Sequence, residues 1–136
     1  GNPVPGHENY YFACKCAAAS NVRFVEAVAH RDPLLASAYA ACGCLVLASW
    51  YETPGLVALE AAMSGAPLVL PVVGSAREYF GDLAGYVSPD EPRKIREAVL
   101  AAMTRGRSPQ LAALVQNHFS WRTAAVATRG AYEEIL

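Results

Sequence analysis

Glu52 and Glu60 are the two carboxylates in "ASWYETPGLVALEAAMSGAPLVLP", where nearly every other residue is apolar or small. A helix that starts near Gly55 carries Glu60 about 1.5 turns in, at roughly 3.6 residues per turn. Helical side chains tilt toward the helix start, so this carboxylate reaches back toward the loop that holds Glu52. An ionised carboxylate on an apolar helix is expensive unless donors surround it. Neighbouring sugar or ribose hydroxyls offer two such donors, one for each carboxylate oxygen. The free N–H groups and positive dipole end at the helix start suit an anion such as phosphate. Gly55, lacking a Cβ, lets a ligand approach that backbone closely. A plainer reading pairs Glu60 with a core-edge arginine such as Arg77 or turns it to solvent. Periodicity alone leaves both open.

The elements that must position these groups follow in order: strand "CLVLAS", loop "WYETP" and helix "GLVALEAAMSG", stopped by Gly65 and Pro67. In a parallel α/β sheet the loops at the carboxyl ends of strands line the ligand crevice, so topology sends Glu52 there. The rest of the chain keeps the same alternation of strand-like and helix-like runs, the pattern of an α/β domain with a parallel sheet. "HENYYFACKCAAAS" predicts a helix and "NVRFVEAV" a strand. "RDPLLASAYAACG" predicts a helix with Asp32 as cap, Pro33 at its first position and Gly43 beyond its end. "PLVLPVV" predicts a strand ending in a Gly74 loop. A short helical turn in "AREYFGDL" and the small strand "GYV" come next. Three closing helices lie in "EPRKIREAVLAAMTRG", "SPQLAALVQNHF" and "WRTAAVATRGAYEEIL", the last capped by Ser120.

With 136 residues and 54% hydrophobic content, the chain has the size of one domain and ample material for a core. Its 11 basic and 12 acidic residues nearly cancel, and no basic stripe points to nucleic acid. No apolar run is long enough to span a membrane. "GNPVPGHENYYF" lacks the layout of a signal peptide, which places the protein in the cytoplasm. A dinucleotide fingerprint, a phosphate-binding P-loop and a nucleophile elbow are all missing from the sequence. Cys14, Cys16, Cys42 and Cys44 form two C-x-C pairs. Zinc accepts four thiolates, but its usual knuckle is C-x2-C, and Cys44 on its strand is expected to face away from a Cys42 that faces the turn. Buried thiols in a reducing compartment are the favoured reading. His7 and His118 read as ordinary polar residues, whereas His30 is either a loop residue or part of a cleft lining.

The E-x7-E spacing from Glu52 to Glu60, within "SWYETPGLVALEAAMSGAPLVLPVVGSAREYF", resembles the signature of the family 4 retaining glycosyltransferases ("glycosyl transferases group 1"). The matching features are "S-x-x-E-x-P-G-L", "LEA-x-x-x-G-x-P" and "V-G-x-x-x-E" ending at Glu78. Upstream "NVRFVEAV" and downstream "GYVSPDEPRKIREAVLAAM" match the flanking elements. The resemblance covers the chain from Gly1 to Leu136, and it is to the C-terminal, donor-binding domain of the two-domain GT-B fold. It implies a Rossmann-like parallel sheet with flanking helices and an enzyme of hexosyltransferase type. Such an enzyme transfers a sugar from a nucleotide-diphosphate donor to an acceptor hydroxyl with retention, using no metal and no separate cofactor.

Carried over residue by residue, the resemblance gives Glu60 the ribose hydroxyls and Glu52 hydroxyls of the transferred sugar near the reacting centre. Backbone amides around Pro54, Gly55, Leu56 and Val57 meet the sugar and diphosphate, and the backbone near Val28 meets the base. The family's diphosphate-neutralising Arg and Lys, its first strands and its N-terminal acceptor-binding domain would all precede Gly1. Contact with a membrane surface, where the enzyme makes it, would run through that other domain. By this reading the segment is inactive alone, leaves a central slot between "VRFVE" and "CLVLAS", and self-associates unless something fills it. A sugar epimerase or phosphorylase related to GT-B, and a non-catalytic nucleotide-binding module, are the alternatives.

Overall fold

Ala58, Ala61 and Ala62 form a buried stripe of small residues at the i, i+3, i+4 spacing of a helix face. The computed structural model describes residues 3–53 and 55–135. By contact the chain divides into two units, Gly1–Ser37 and Ala38–Leu136. In the first, α1 (Glu8–Ala17) opens with Glu8, which accepts a hydrogen bond from the Gly6 amide, and has Lys15 in its last turn. Tyr11 and Phe24 meet edge to face at 5.9 Å, with the Lys15 ammonium 4.9 Å from the Tyr11 ring centroid. No described side chain of this unit is buried.

The boundary falls inside α2 (Pro33–Ala41), which starts as its sequence demands: the Leu34 amide donates to the Asp32 carboxylate at 2.9 Å. Then follow β1 (Leu45–Val46), α3 (Leu56–Met63), β2 (Leu68–Pro71), α4 (Ala76–Phe80) with a 3-10 turn, and β3 (Gly85–Val87). Helices α5 (Pro92–Arg105), α6 (Pro109–His118) and α7 (Trp121–Ile135) close the second unit. The sheet is parallel in the order β1-β2-β3, with Leu45 beside Leu68, Val69 beside Gly85 and Leu70 beside Tyr86.

All four residues of β2 are buried, because helices cover both of its faces. Leu68 and Leu70 pack with Ala58, Ala61 and Ala62 of α3 and with Leu111 and Val115 of α6. Val69 turns the other way, toward Ile95, Ala98, Val99 and Ala102 of α5. Alanines on α3 keep that helix close to the strand. At its end Gly65 takes φ +77°, and its carbonyl accepts from the Ser108 amide at 2.8 Å. Ser108 in turn caps α6 through the Leu111 amide. The order and type of these elements follow the sequence expectation, with one exception. Residues 22–29 hold no strand, and Val22, Phe24 and Val25 remain exposed.

Candidate functional site

The loops after β1 and β2 meet at the carboxyl end of the sheet, and Glu52 is where they join. Its backbone forms a parallel bridge with Gly74, and its carbonyl accepts a hydrogen bond from the Ser75 amide at 3.1 Å. Gly74 has φ +108°, and a Cβ there would run into the Glu52 backbone, within 2.9 Å of its nitrogen. Only glycine fits this approach. Gly74, the glycine of the "V-G-x-x-x-E" motif, is therefore a site residue through its backbone, a role that the motif's spacing does not itself assign. The Glu52 carboxylate accepts from the Ser49 hydroxyl at 3.3 Å.

Gly55 caps α3 in the left-handed conformation, with φ +53° and ψ 57°. A Cβ on Gly55 would stand 3.4 Å from the Glu52 Cγ, so the Glu52 side chain lies against the amino end of α3. The helix's first internal bonds run from the Ala58 and Leu59 amides to the Gly55 carbonyl. The Leu56 and Val57 amides precede them, so they form the donor end of the helix. Leu56 and Val57 themselves are exposed, as are Trp50 and Tyr51 in the preceding loop. Pro54 lies outside the described residues.

Glu60 lies four residues into α3 beyond Leu56 and is half-buried. One of its carboxylate oxygens accepts from the Tyr39 hydroxyl at 2.7 Å. Burial first, then the bond to Glu60 and its charge, push the Tyr39 phenol up to about 12. Arg77 is engaged elsewhere: its guanidinium lies 4.3 Å from the Tyr86 ring centroid and 4.0 Å from the Asp82 carboxylate. The pairing with Arg77 that the sequence left open is replaced by a tyrosine contact spanning 21 residues of chain. Tyr39 was legible only as a hydroxyl-bearing residue in the otherwise small and apolar "LASAYAAC".

Val28 falls within the non-strand segment 22–29 of the first unit, half-buried, and His30 sits in the turn that follows. Cys42 packs against the cluster around Leu68 and Leu70, and Cys44 against the cluster around Val69. These are opposite faces of the sheet: strand alternation would put residues two apart on one face, and it is the bend at Gly43, ahead of β1, that separates the two thiols. Burial, with a smaller contribution from Cys42, pushes the Cys44 thiol up. Among the described residues no three His, Cys, Asp or Glu side chains cluster as a metal site would need. No described helix is long and apolar enough to cross a membrane. A second cleft, of about 240 Å³, opens at the amino ends of β2 and β3, lined in part by Asp82, Arg105, Arg107 and Gln110. Its Arg107 guanidinium is engaged by the Tyr39 and Cys42 carbonyls.

A family model described as "Glycosyl transferases group 1" matches residues 5–105. The chain is also 30% identical over 121 residues to the D-inositol 3-phosphate glycosyltransferase of Paenarthrobacter aurescens (strain TC1), a match covering 82% of this chain. The chain spans 30% of the length of that relative.

Proposed function

The chain belongs to the group 1 glycosyltransferases, and from that premise we propose that it is the donor-binding part of a retaining, hexosyltransferase-type enzyme. One observation carries this reading: the Glu52 side chain lies against the amino end of α3, the same helix that holds Glu60. A nucleotide-diphosphate sugar carries hydroxyls on both sides of a doubly charged linker. In the proposed complex, Glu60 takes the ribose hydroxyls and Glu52 takes hydroxyls of the transferred sugar. The amides of Leu56 and Val57, with the backbone at Pro54 and Gly55, face the sugar and diphosphate, and the backbone near Val28 meets the base. The reading uses no metal.

In the reaction, the bond from the anomeric carbon to the diphosphate breaks, and the acceptor hydroxyl attacks from the face the diphosphate leaves. The hydroxyl proton departs with the leaving group or with solvent. Charge then builds on the departing diphosphate, where the helix end acts like roughly half a positive charge. The loops 48–57 and 72–75 carry no Lys or Arg, so further positive charge must come from elsewhere in the enzyme. With the helix end alone, transfer is slow or undetectable. The acceptor-binding domain is the proposed partner, and any membrane contact runs through it. The edge of β1, with β2 on one side only in the three-stranded sheet, is the proposed route to self-association.

Calorimetry with uridine, guanosine and adenosine diphosphates tests the donor assignment. Glu60→Ala is expected to weaken the preferred nucleotide by about tenfold or more, the loss of hydrogen bonds to a charged group. An alanine variant that binds as tightly as wild type removes Glu60 from the ribose. Glu52→Ala is expected to keep nucleoside diphosphate affinity while turnover of the sugar donor collapses in the complete enzyme; near-normal turnover removes Glu52 from the active site. Nucleotide binding by a complete enzyme that transfers no sugar would favour the non-catalytic module.

A further inference from the structure

We infer that Tyr39 is a positioning residue, whose hydroxyl fixes the orientation in which the Glu60 carboxylate meets the ribose of a nucleotide. The inference rests on the ribose role proposed for Glu60. Tyr39 is held at both ends. At its tip, the hydroxyl donates to Glu60 at 2.7 Å. At its root, the Tyr39 carbonyl accepts from the Arg107 guanidinium at 3.0 Å and shares the Ser64 hydroxyl, 3.0 Å away, with the Ala61 carbonyl at 2.7 Å.

Glu60 and Ser64 stand four residues apart, so they lie on one face of α3 and grip the same residue of α2 from two successive turns. Arg107 also takes the Cys42 carbonyl at 3.2 Å and the Ser64 hydroxyl at 3.3 Å, closing the end of α2 with groups that helix termini otherwise leave unsatisfied. The backbone that carries the ring is therefore anchored, and the hydroxyl approaches the Glu60 carboxylate from one direction.

Orientation matters because the terminal torsion of glutamate is broad. A carboxylate held on one side meets vicinal hydroxyls in a plane chosen before the ligand arrives, which spares the ligand the cost of ordering it. The phenol is suited to this. With its ionisation pushed up to about 12, it remains a donor throughout the pH range below that value.

The test compares ribonucleoside diphosphates with their 2′,3′-dideoxy counterparts, using calorimetry on the complete enzyme and on its Tyr39→Phe, Glu60→Ala and double variants. Wild type is expected to prefer the ribonucleotide. Tyr39→Phe is expected to reduce that preference by about threefold to tenfold, the scale of one charge-assisted hydrogen bond, with little change in melting temperature. Adding Tyr39→Phe to Glu60→Ala should reduce it no further, since both act through one contact.

If Tyr39→Phe weakens both nucleotides equally, the residue is only structural and the inference fails. If Glu60→Ala abolishes the preference while Tyr39→Phe keeps it, the inference fails and the ribose reading stands. If Glu60→Ala keeps the preference, or the complete enzyme binds none of the nucleotides, both fall together. Should Tyr39→Phe not fold, tyrosine labelled with carbon-13 at Cζ asks the same question of wild type. Its Tyr39 resonance should shift with the ribonucleotide and move less with the dideoxy form; a resonance unmoved by the ribonucleotide overturns the inference.

Discussion

"NVRFVEAV" and "PLVLPVV" are much alike as sequences, each a short run dominated by β-branched and large apolar residues, yet only the second becomes a strand. Leu68, Val69 and Leu70 are fully enclosed, with α3 and α6 on one face and α5 on the other. Val22, Phe24 and Val25 are 46%, 42% and 61% exposed, and the first unit buries no described side chain. β-propensity is largely the fit of a side chain to a covered, pleated surface. A run of residues announces that it can fit; the cover comes from elements far away in sequence.

The sharpest way to break this comparison is Leu70→Ala. A buried leucine truncated to alanine is expected to cost about 2–5 kcal/mol, read as a lower denaturation midpoint. A loss close to zero would mean the two-sided cover of β2 is not what holds it. Gly74→Ala is expected to cost about 1–3 kcal/mol, because it adds left-handed strain and forces the Glu52 loop away. A melting temperature equal to wild type would show that the two loops meet less tightly than described.

A smaller effect depends on pH. The Tyr39 phenol is raised from its ordinary 10.0 to about 12 in the folded chain, so the unfolded chain releases this proton first as pH rises. The stability it contributes is complete below pH 10 and is lost as pH climbs toward 12. Tyr39→Phe lacks that proton, so its stability relative to wild type should rise across this window; a constant difference contradicts the assignment. The smallest effect belongs to the first segment. Val22→Ala is expected to stay within about 0.5 kcal/mol, as for most exposed positions. A loss comparable to Leu70→Ala would show that residues 22–29 are covered after all.

The site divides along similar lines. The E-x7-E spacing, the Gly55 helix start and the Gly74 loop were all legible, because each depends on residues within a turn or two of one another. Tyr39 was not, nor was the grip of Ser64 and Arg107 on its carbonyl. These contacts cross 21, 25 and 68 residues of chain, and the side chains involved carry no local signature of their partners. The expectation of Arg77 beside Glu60 was reasonable on charge alone, but Arg77 settles on the Tyr86 ring and Asp82 instead.

By itself the sequence determined the order of helices and strands outside residues 22–29, the caps at Asp32 and Ser120, the stop at Gly65, and a pair of carboxylates bracketing a helix start. Backbone hydrogen bonding near each residue decides those features, so neighbouring residue types are enough. Only the tertiary structure decided which apolar run is covered on both faces, how closely Gly74 presses on Glu52, and that a tyrosine from α2 holds Glu60. Each of these depends on burial and on the meeting of distant elements, quantities that exist only once the chain has packed.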